Sequence, residues 1–181
     1  MKAGVVVFPG SNCDRDMKVA LEDAGAEVSM LWHKDTKIPE LDFIAIPGGF
    51  SYGDYLRCGA ISAHSPIVAE IKKHADEGRF VLGVCNGFQV LTETGLLPGV
   101  LLRTKSIHFI CKPQDLEVAN DNSKFTQGFN AGEKVNFPIA HHDGNYFADD
   151  ETIKELEAEN RVAFRYVENP NGSMNDIAGI I

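Results

Sequence analysis

RFVLGVCNGFQVL, residues 79–91, decides how the rest of the chain is read. Phe80–Val84 is a short apolar run, as in a buried strand, and Asn86–Glu93 follows at once with helical character. Between them Gly83-Val84-Cys85-Asn86-Gly87 has the form G-x-C-x-G. That is the cysteine version of a nucleophile elbow, in which a strand turns sharply into a helix and lifts one side chain above the sheet. Flanking glycines permit the turn because they bring no Cβ to clash. The helix N-terminus beneath the thiol favours negative charge, so the sequence predicts a lowered thiol pKa at Cys85. A free cysteine is more often a small buried hydrophobe. Two glycines in a strand–helix context outweigh that reading here.

Working outward, the same alternation recurs upstream. Ala3–Phe8, Ala26–Trp32 and Phe43–Ile46 are apolar runs predicted as strands. Asp14–Ala24 is predicted as a helix stopped by Gly25, and a second helix opens at Ser65-Pro66 and stops at Gly78. Near-continuous apolar strands separated by helices imply a parallel sheet covered on both faces. Downstream, Phe109–Cys111, Leu116–Ala119, Val135–Ala140 and Arg161–Val167 read as strands broken by polar turns. One helix, Asp150–Glu159, lies among them, and the final residues, Asp176–Ile181, read as a last strand. No repeat, low-complexity segment or linker interrupts the 181 residues, so a single α/β domain over 1–181 is the expectation. Its class is a three-layer, open, mostly parallel sheet of the flavodoxin-like kind.

Charge and composition narrow the function. The formal net charge is −9, which argues against a nucleic-acid or anionic-membrane partner, since both reward a basic face. No apolar stretch approaches the roughly 20 residues of a membrane span. The start, Met1-Lys2-Ala3 into Gly4–Phe8 and Pro9, is too short for a signal-peptide core. Cysteines at 13, 58, 85 and 111 form no C-x-x-C pair and suit reduced thiols in the cytosol. Cys13, Cys58 and Cys111 lack an elbow or charged partner and read as structural.

An acyl-transfer cysteine needs donors for the developing oxyanion. The backbone N–H of Asn86, next to the nucleophile, is one. Pro47-Gly48-Gly49-Phe50, at the end of another predicted strand, is placed to supply the second through Gly49 or Phe50. The same loop is no phosphate cradle: Gly48 and Gly53 have P-loop spacing, but Asp54 stands where lysine is needed.

GVCNGFQVL resembles the nucleophile segment of class I, triad-type glutamine amidotransferases, and IPGGFSYGDYLRCGA resembles one branch of them. PGSNCDRD, FICKP and IAHHDGNYF point to that same branch, and the resemblance runs from end to end. It implies a glutaminase subunit in which Cys85 attacks the glutamine side-chain amide, ammonia leaves, and water resolves the thioester. The ammonia would pass to an ATP-dependent synthetase that amidates formylglycinamide ribonucleotide in purine biosynthesis. A small accessory subunit would complete the assembly. ATP and Mg would sit on the synthetase, leaving no cofactor or metal here. The resemblance also implies substrate contacts from Gln89, one helical turn after Cys85, and from backbone at His142, Gly144 and Asn145. The family more often reads His-Gly-Glu-Gly at that last segment.

One departure from the pattern concerns the base. Such a thiol needs a histidine oriented by a carboxylate, and the family draws both from a Pro-His-Pro-Glu segment that does not occur in these residues. The sequence thus reads as the family domain, incomplete at its C-terminus. Among the six histidines, His33, His64, His74 and His108 show no partner signal. His141-His142-Asp143 is a candidate substitute base or metal site, although adjacent strand residues point to opposite faces. Asp54, Tyr55 and Arg57 read as a polar loop facing a partner, a gate or solvent. Two other readings stand beside the amidotransferase: a PfpI-like cysteine hydrolase, which typically has an acidic residue near its elbow, and a catalytically inactive interaction subunit.

Overall fold

The computed structural model describes residues 1–181, which divide into two compact units, Met1–Leu96 and Leu97–Ile181. In the first, β1 (Lys2–Val7), β2 (Glu27–Trp32), β3 (Phe43–Ile46) and β4 (Phe80–Gly83) form an all-parallel sheet in the order β2-β1-β3-β4. The helices are α1 (Asp14–Asp23), α2 (Ile67–Asp76) and α3 (Asn86–Glu93). Each sequence-predicted strand and helix of this half is present within two residues at either end. At the opening of α2 Ser65 is extended and Pro66 has helical backbone angles, as the Ser-Pro pair predicted.

The order explains the layers. The chain moves from β1 to β2 in one direction across the sheet and from β3 to β4 in the other. Right-handed crossovers therefore send α1 and α2 to opposite faces. Met17 and Leu21 of α1 pack with Val28 and Leu82 on a cluster of Ala3, Val5, Ala26, Phe43 and Ala45. α2 buries Ile67, Val68, Ile71 and His74, and α3 buries Val90 and Leu91. β3 is buried at every residue, as a run without a polar side chain should be. Between β1 and β3 the direction of winding reverses, and the carboxyl ends of strands at such a reversal leave a crevice for ligand. No helix is long and apolar enough to cross a membrane.

The second unit is antiparallel. β5 (Val100–Leu102) pairs with β8 (Asn145–Phe147). β6 (Ile110–Val118), β7 (Lys134–His141), β9 (Val162–Tyr166) and β10 (Ile177–Ile180) form a sheet in the order β10-β9-β6-β7. α4 (Asp150–Ala158) is capped by Asp149, whose carboxylate accepts the Thr152 N–H at 2.8 Å.

Two expectations change here. The strands expected at Phe109–Cys111 and Leu116–Ala119 are one nine-residue strand, β6. Pro113 within it faces Pro138 of β7 and lies outside the Leu116–Val118 stretch that pairs with β9, so its missing N–H costs no ladder bond there. β5 and β8 had no expected counterpart, because three residues are too few to display a period of two.

His74 links this packing to pH. Its imidazole is buried, and Nε2 lies 3.3 Å from the Phe80 carbonyl. Burial lowers its pKa and Arg79 adds to that, against opposing pulls from the Phe80 carbonyl, Glu77 and Asp42. His33 and His141 are lowered for the same first reason. A histidine whose folded pKa lies below its unfolded value takes its proton more readily when unfolded. Its contribution is complete above the unfolded pKa of about 6.5 and is lost as pH falls through the window beneath it. The thermal midpoint should therefore fall between about pH 7.5 and about pH 5.5. His74→Gln, which keeps a donor for Phe80, should show a smaller fall in circular-dichroism melts.

Candidate functional site

Cys85 stands between β4 and α3 with φ 55° and ψ −110°, a strained conformation for a residue with a side chain. The reason is visible on either side of it. A Cβ on Gly87 would overlap the Ile46 carbonyl oxygen, and one on Gly83 would lie 2.5 Å from the Gly87 oxygen. The start of α3 is thus pressed backbone to backbone onto the ends of β3 and β4. The Val84 N–H closes the arrangement by donating to the Ile46 carbonyl at 3.0 Å. The expected elbow is present, and its glycines are fixed by contact as well as by turn geometry.

The loop after β3 comes to the thiol as the sequence suggested. A Cβ on Gly48 would be 3.4 Å from the Cys85 Cβ and 3.6 Å from the Cys13 sulfur. Backbone N–H groups of Asn86 and Gly49 hydrogen-bond the Cys85 thiol and pull its pKa down. The Phe50 N–H takes no part, because it donates to the Gly10 carbonyl at 3.1 Å. Of the two residues named on this loop, Gly49 is therefore the donor, and its φ of 134° is open only to glycine.

The expected lowering of the thiol pKa is not what the site produces. Burial pushes it up and outweighs the two N–H groups, with Cys13 and Asp54 pushing the same way. The residue is open to solvent on one side, while its other side meets the Gly48 backbone. The desolvation is thus that of a half-covered sulfur. No histidine is among the groups acting on the thiol.

Asn86 and Gln89 do more than their backbone positions suggested. The Asn86 Oδ1 accepts the Ser51 N–H at 3.3 Å, and its Nδ2 donates to Gln89 Oε1 at 2.8 Å. Both side chains are buried, so together they tie the loop after β3 to the first turn of α3. The segment after β1 supplies a second support that the sequence reading did not assign. Asn12 and Gly10 enclose Gly49 so tightly that a Cβ there would lie 2.5 Å from Asn12 Oδ1, and the Cys13 N–H reaches Gly48 O at 3.4 Å. Only the carboxyl-end reversal between β1 and β3 makes these two segments neighbours. Arg57 is not a free cation: its Nε and Nη2 grip the two Glu93 oxygens at 2.7 and 2.8 Å. Tyr55 and Leu56 stay exposed at 74% and 84%.

In the second unit, His141 and His142 turn to different partners. His141 Nε2 lies 3.1 Å from Asn171 Nδ2, and His142 Nδ1 lies 3.2 Å from Asp143 Oδ1. No cluster of three or more His, Cys, Asp or Glu side chains is placed to hold a metal. The His142 carbonyl already accepts the Thr104 N–H, and the Gly144 carbonyl accepts from Asn171 and Ser173. Asn145 begins β8 and donates its side-chain amide to Arg103 O at 3.3 Å. A surface depression at the amino end of the parallel sheet, lined by Lys2, Glu27, Glu40 and Asp42 among others, is acidic and has no nucleophile.

Comparison with known proteins follows this geometry. Residues 1–181 match the CobB/CobQ-like glutamine amidotransferase domain. The chain is 64% identical over 182 residues to the phosphoribosylformylglycinamidine synthase subunit PurQ of Ruegeria sp., covering all of this chain and 82% of that protein. It is 63% identical to the subunit of the same name from Cereibacter sphaeroides, with the same coverage. Among solved structures, PurLQS from Thermotoga maritima superposes with a TM-score of 0.91 at 48% identity, over 99% of this chain and 81% of that one. The glutaminase domain of Trypanosoma brucei CTPS, at 12% identity and TM-score 0.57 over 91% of this chain and 74% of that one, shares the fold.

Two outcomes check the site. Gly87→Ala should cost about 3 kcal/mol or more, since backbone must move to admit the methyl, and chemical denaturation reads this directly. At about pH 7 iodoacetamide should modify Cys85 no faster than exposed Cys111, with Cys58 protected, because a raised pKa withholds the thiolate. Peptide mapping over time gives the three rates.

Proposed function

The chain belongs to the CobB/CobQ-like glutamine amidotransferase family, and from that premise we propose that it is the glutaminase subunit of phosphoribosylformylglycinamidine synthase. The observation that carries the reading is the pair of backbone donors, Gly49 N–H and Asn86 N–H, converging on a cysteine at a strand–helix elbow. That arrangement serves acyl transfer from an amide. The names borne by relatives at 64% and 63% identity supply the pathway, and the Thermotoga maritima PurLQS structure supplies the kind of assembly.

In this reading glutamine enters at the carboxyl ends of β3 and β4. Cys85 Sγ attacks the side-chain carbonyl carbon, and the oxygen gains charge between the N–H groups of Gly49 and Asn86. Collapse of the tetrahedral intermediate expels ammonia and leaves a thioester, and water then releases glutamate. Donors already aimed at the sulfur need little rearrangement to meet an oxyanion next to it, which is where such stabilisation has its largest effect. A thiol with a raised pKa must lose its proton during the attack, so general-base assistance controls the rate. Ammonia then passes to a synthetase subunit that binds ATP and Mg and amidates formylglycinamide ribonucleotide, with a small accessory subunit completing the complex. Gln89 is a proposed substrate contact, and the four free cysteines suit action in the cytosol.

The test is a reconstituted complex of the full gene product with its synthetase and accessory subunits. Cys85→Ser should abolish glutamine-dependent amidation while ammonia-dependent amidation persists, measured by product formation with each nitrogen source. Loss of both activities, or of neither, contradicts the assignment.

A further inference from the structure

The turn after β3 holds an unusual density of strain. Within six residues Tyr52, Asp54 and Leu56 have φ of 54°, 55° and 66°. A bulky residue at positive φ persists only where its surroundings over-determine it. For Tyr52 those surroundings are specific. Its N–H donates to the Pro9 carbonyl at 2.6 Å. Its hydroxyl lies 2.8 Å from His33 Nδ1 and 3.0 Å from Ser65 Oγ. Its ring meets the His33 ring edge-on, with centroids 5.7 Å apart.

The two side chains that hold the hydroxyl are themselves anchored. His33 and Ser65 are buried. The His33 N–H donates to Val7 O, extending the β1–β2 ladder, and the His33 carbonyl accepts the Ile67 N–H where α2 begins. Burial, helped by Lys34 and opposed by Asp35, lowers the His33 pKa and so favours the neutral imidazole. A phenol donates once, so Tyr52 donates to one of these partners and accepts from the other. The turn then runs back from Tyr52 to Gly49 under two further restraints, Ser51 N–H to Asn86 Oδ1 and Phe50 N–H to Gly10 O.

We propose that Tyr52 is a positioning residue for the oxyanion hole: its hydroxyl, held between His33 and Ser65, keeps the turn in the strained form that aims the Gly49 N–H at Cys85. The inference rests on the glutaminase reading above. It assigns a task to three side chains that stand behind the Gly49 and Asn86 donors. It also explains why a tyrosine sits where a glycine or asparagine would be easier. Without the hydroxyl the turn relaxes and the Gly49 N–H turns away from the oxyanion. The loss then falls on the transition state and not on ground-state binding of glutamine.

The experiment is steady-state glutamine hydrolysis by the reconstituted complex carrying wild type, Tyr52→Phe or Ser65→Ala. Tyr52→Phe should lower kcat at least about tenfold, short of the roughly 10²–10³-fold loss when an oxyanion donor is removed outright, with KM for glutamine within about twofold. Ser65→Ala should show a smaller fall of the same kind. Ammonia-dependent amidation and the thermal midpoint should stay near wild type. A Tyr52→Phe complex with wild-type kcat, or one whose loss is in KM alone, overturns the proposal. If Tyr52→Phe does not fold, Ser65→Ala decides: reduced kcat at unchanged KM supports the role and unchanged kcat removes it. A wild-type complex that hydrolyses no glutamine defeats the functional reading and this inference with it, whereas normal wild-type turnover matched by both variants defeats the inference alone.

Discussion

The closest constraint in this molecule is the contact of backbone with backbone where α3 starts. Gly87 lies against the Ile46 carbonyl, and Gly83 against the Gly87 carbonyl, with no space for a methyl group at either. Close approach of this kind sets the height of Cys85 above the sheet and forces its positive φ. It also brings the N-terminus of α3 to the same level as the loop leaving β3. Every distance in the site follows from that one packing, because the Gly48–Gly49 segment can reach the thiol only if the helix start is low enough to admit it.

Around this point the fold places three layers of support. The thiol meets the N–H groups of Gly49 and Asn86. Behind them, Asn86 and Gln89 join the helix to the loop, and Gly10 and Asn12 close the loop from the β1 side. Behind those, His33 and Ser65 hold Tyr52 from the ends of β2 and the start of α2. Four separate stretches of chain thus converge on one turn. A parallel sheet does this economically, since all of its strands deliver their following loops to the same edge.

The electrostatics of the thiol follow from burial and backbone dipoles acting in opposite directions. Helix and loop N–H groups favour the thiolate, yet the crowded side of the sulfur and the nearby Asp54 and Cys13 disfavour it, and the second set prevails. The site therefore favours the thiol form of Cys85. A thiol held in that form is less open to indiscriminate alkylation, and on the proposed reading it becomes nucleophilic only as its proton is removed during reaction.

The sequence by itself determined the parallel half of the fold and the place of Cys85 at a strand–helix turn. Apolar runs such as FIAI and VVV are long enough and pure enough to specify strands, and G-x-C-x-G between a strand and a helix is a local pattern that needs no distant partner. It did not determine which N–H of the Gly49-Phe50 pair serves the site, because that depends on Gly10, some forty positions away in the chain. Nor did it determine the sign of the thiol's pKa shift, since the local helix dipole is legible in sequence whereas desolvation is a property of everything packed nearby. The continuity of β6 through Pro113 was equally illegible: a proline breaks a strand only where a neighbouring strand needs its N–H, and that neighbour is chosen by tertiary pairing. His33 and Tyr52 gave no signal at all, being nineteen residues apart and joined only once β2 and the turn after β3 share an edge. Patterns within one element are written in the chain; contacts between elements, and the dielectric they create, come into being only when the chain has folded.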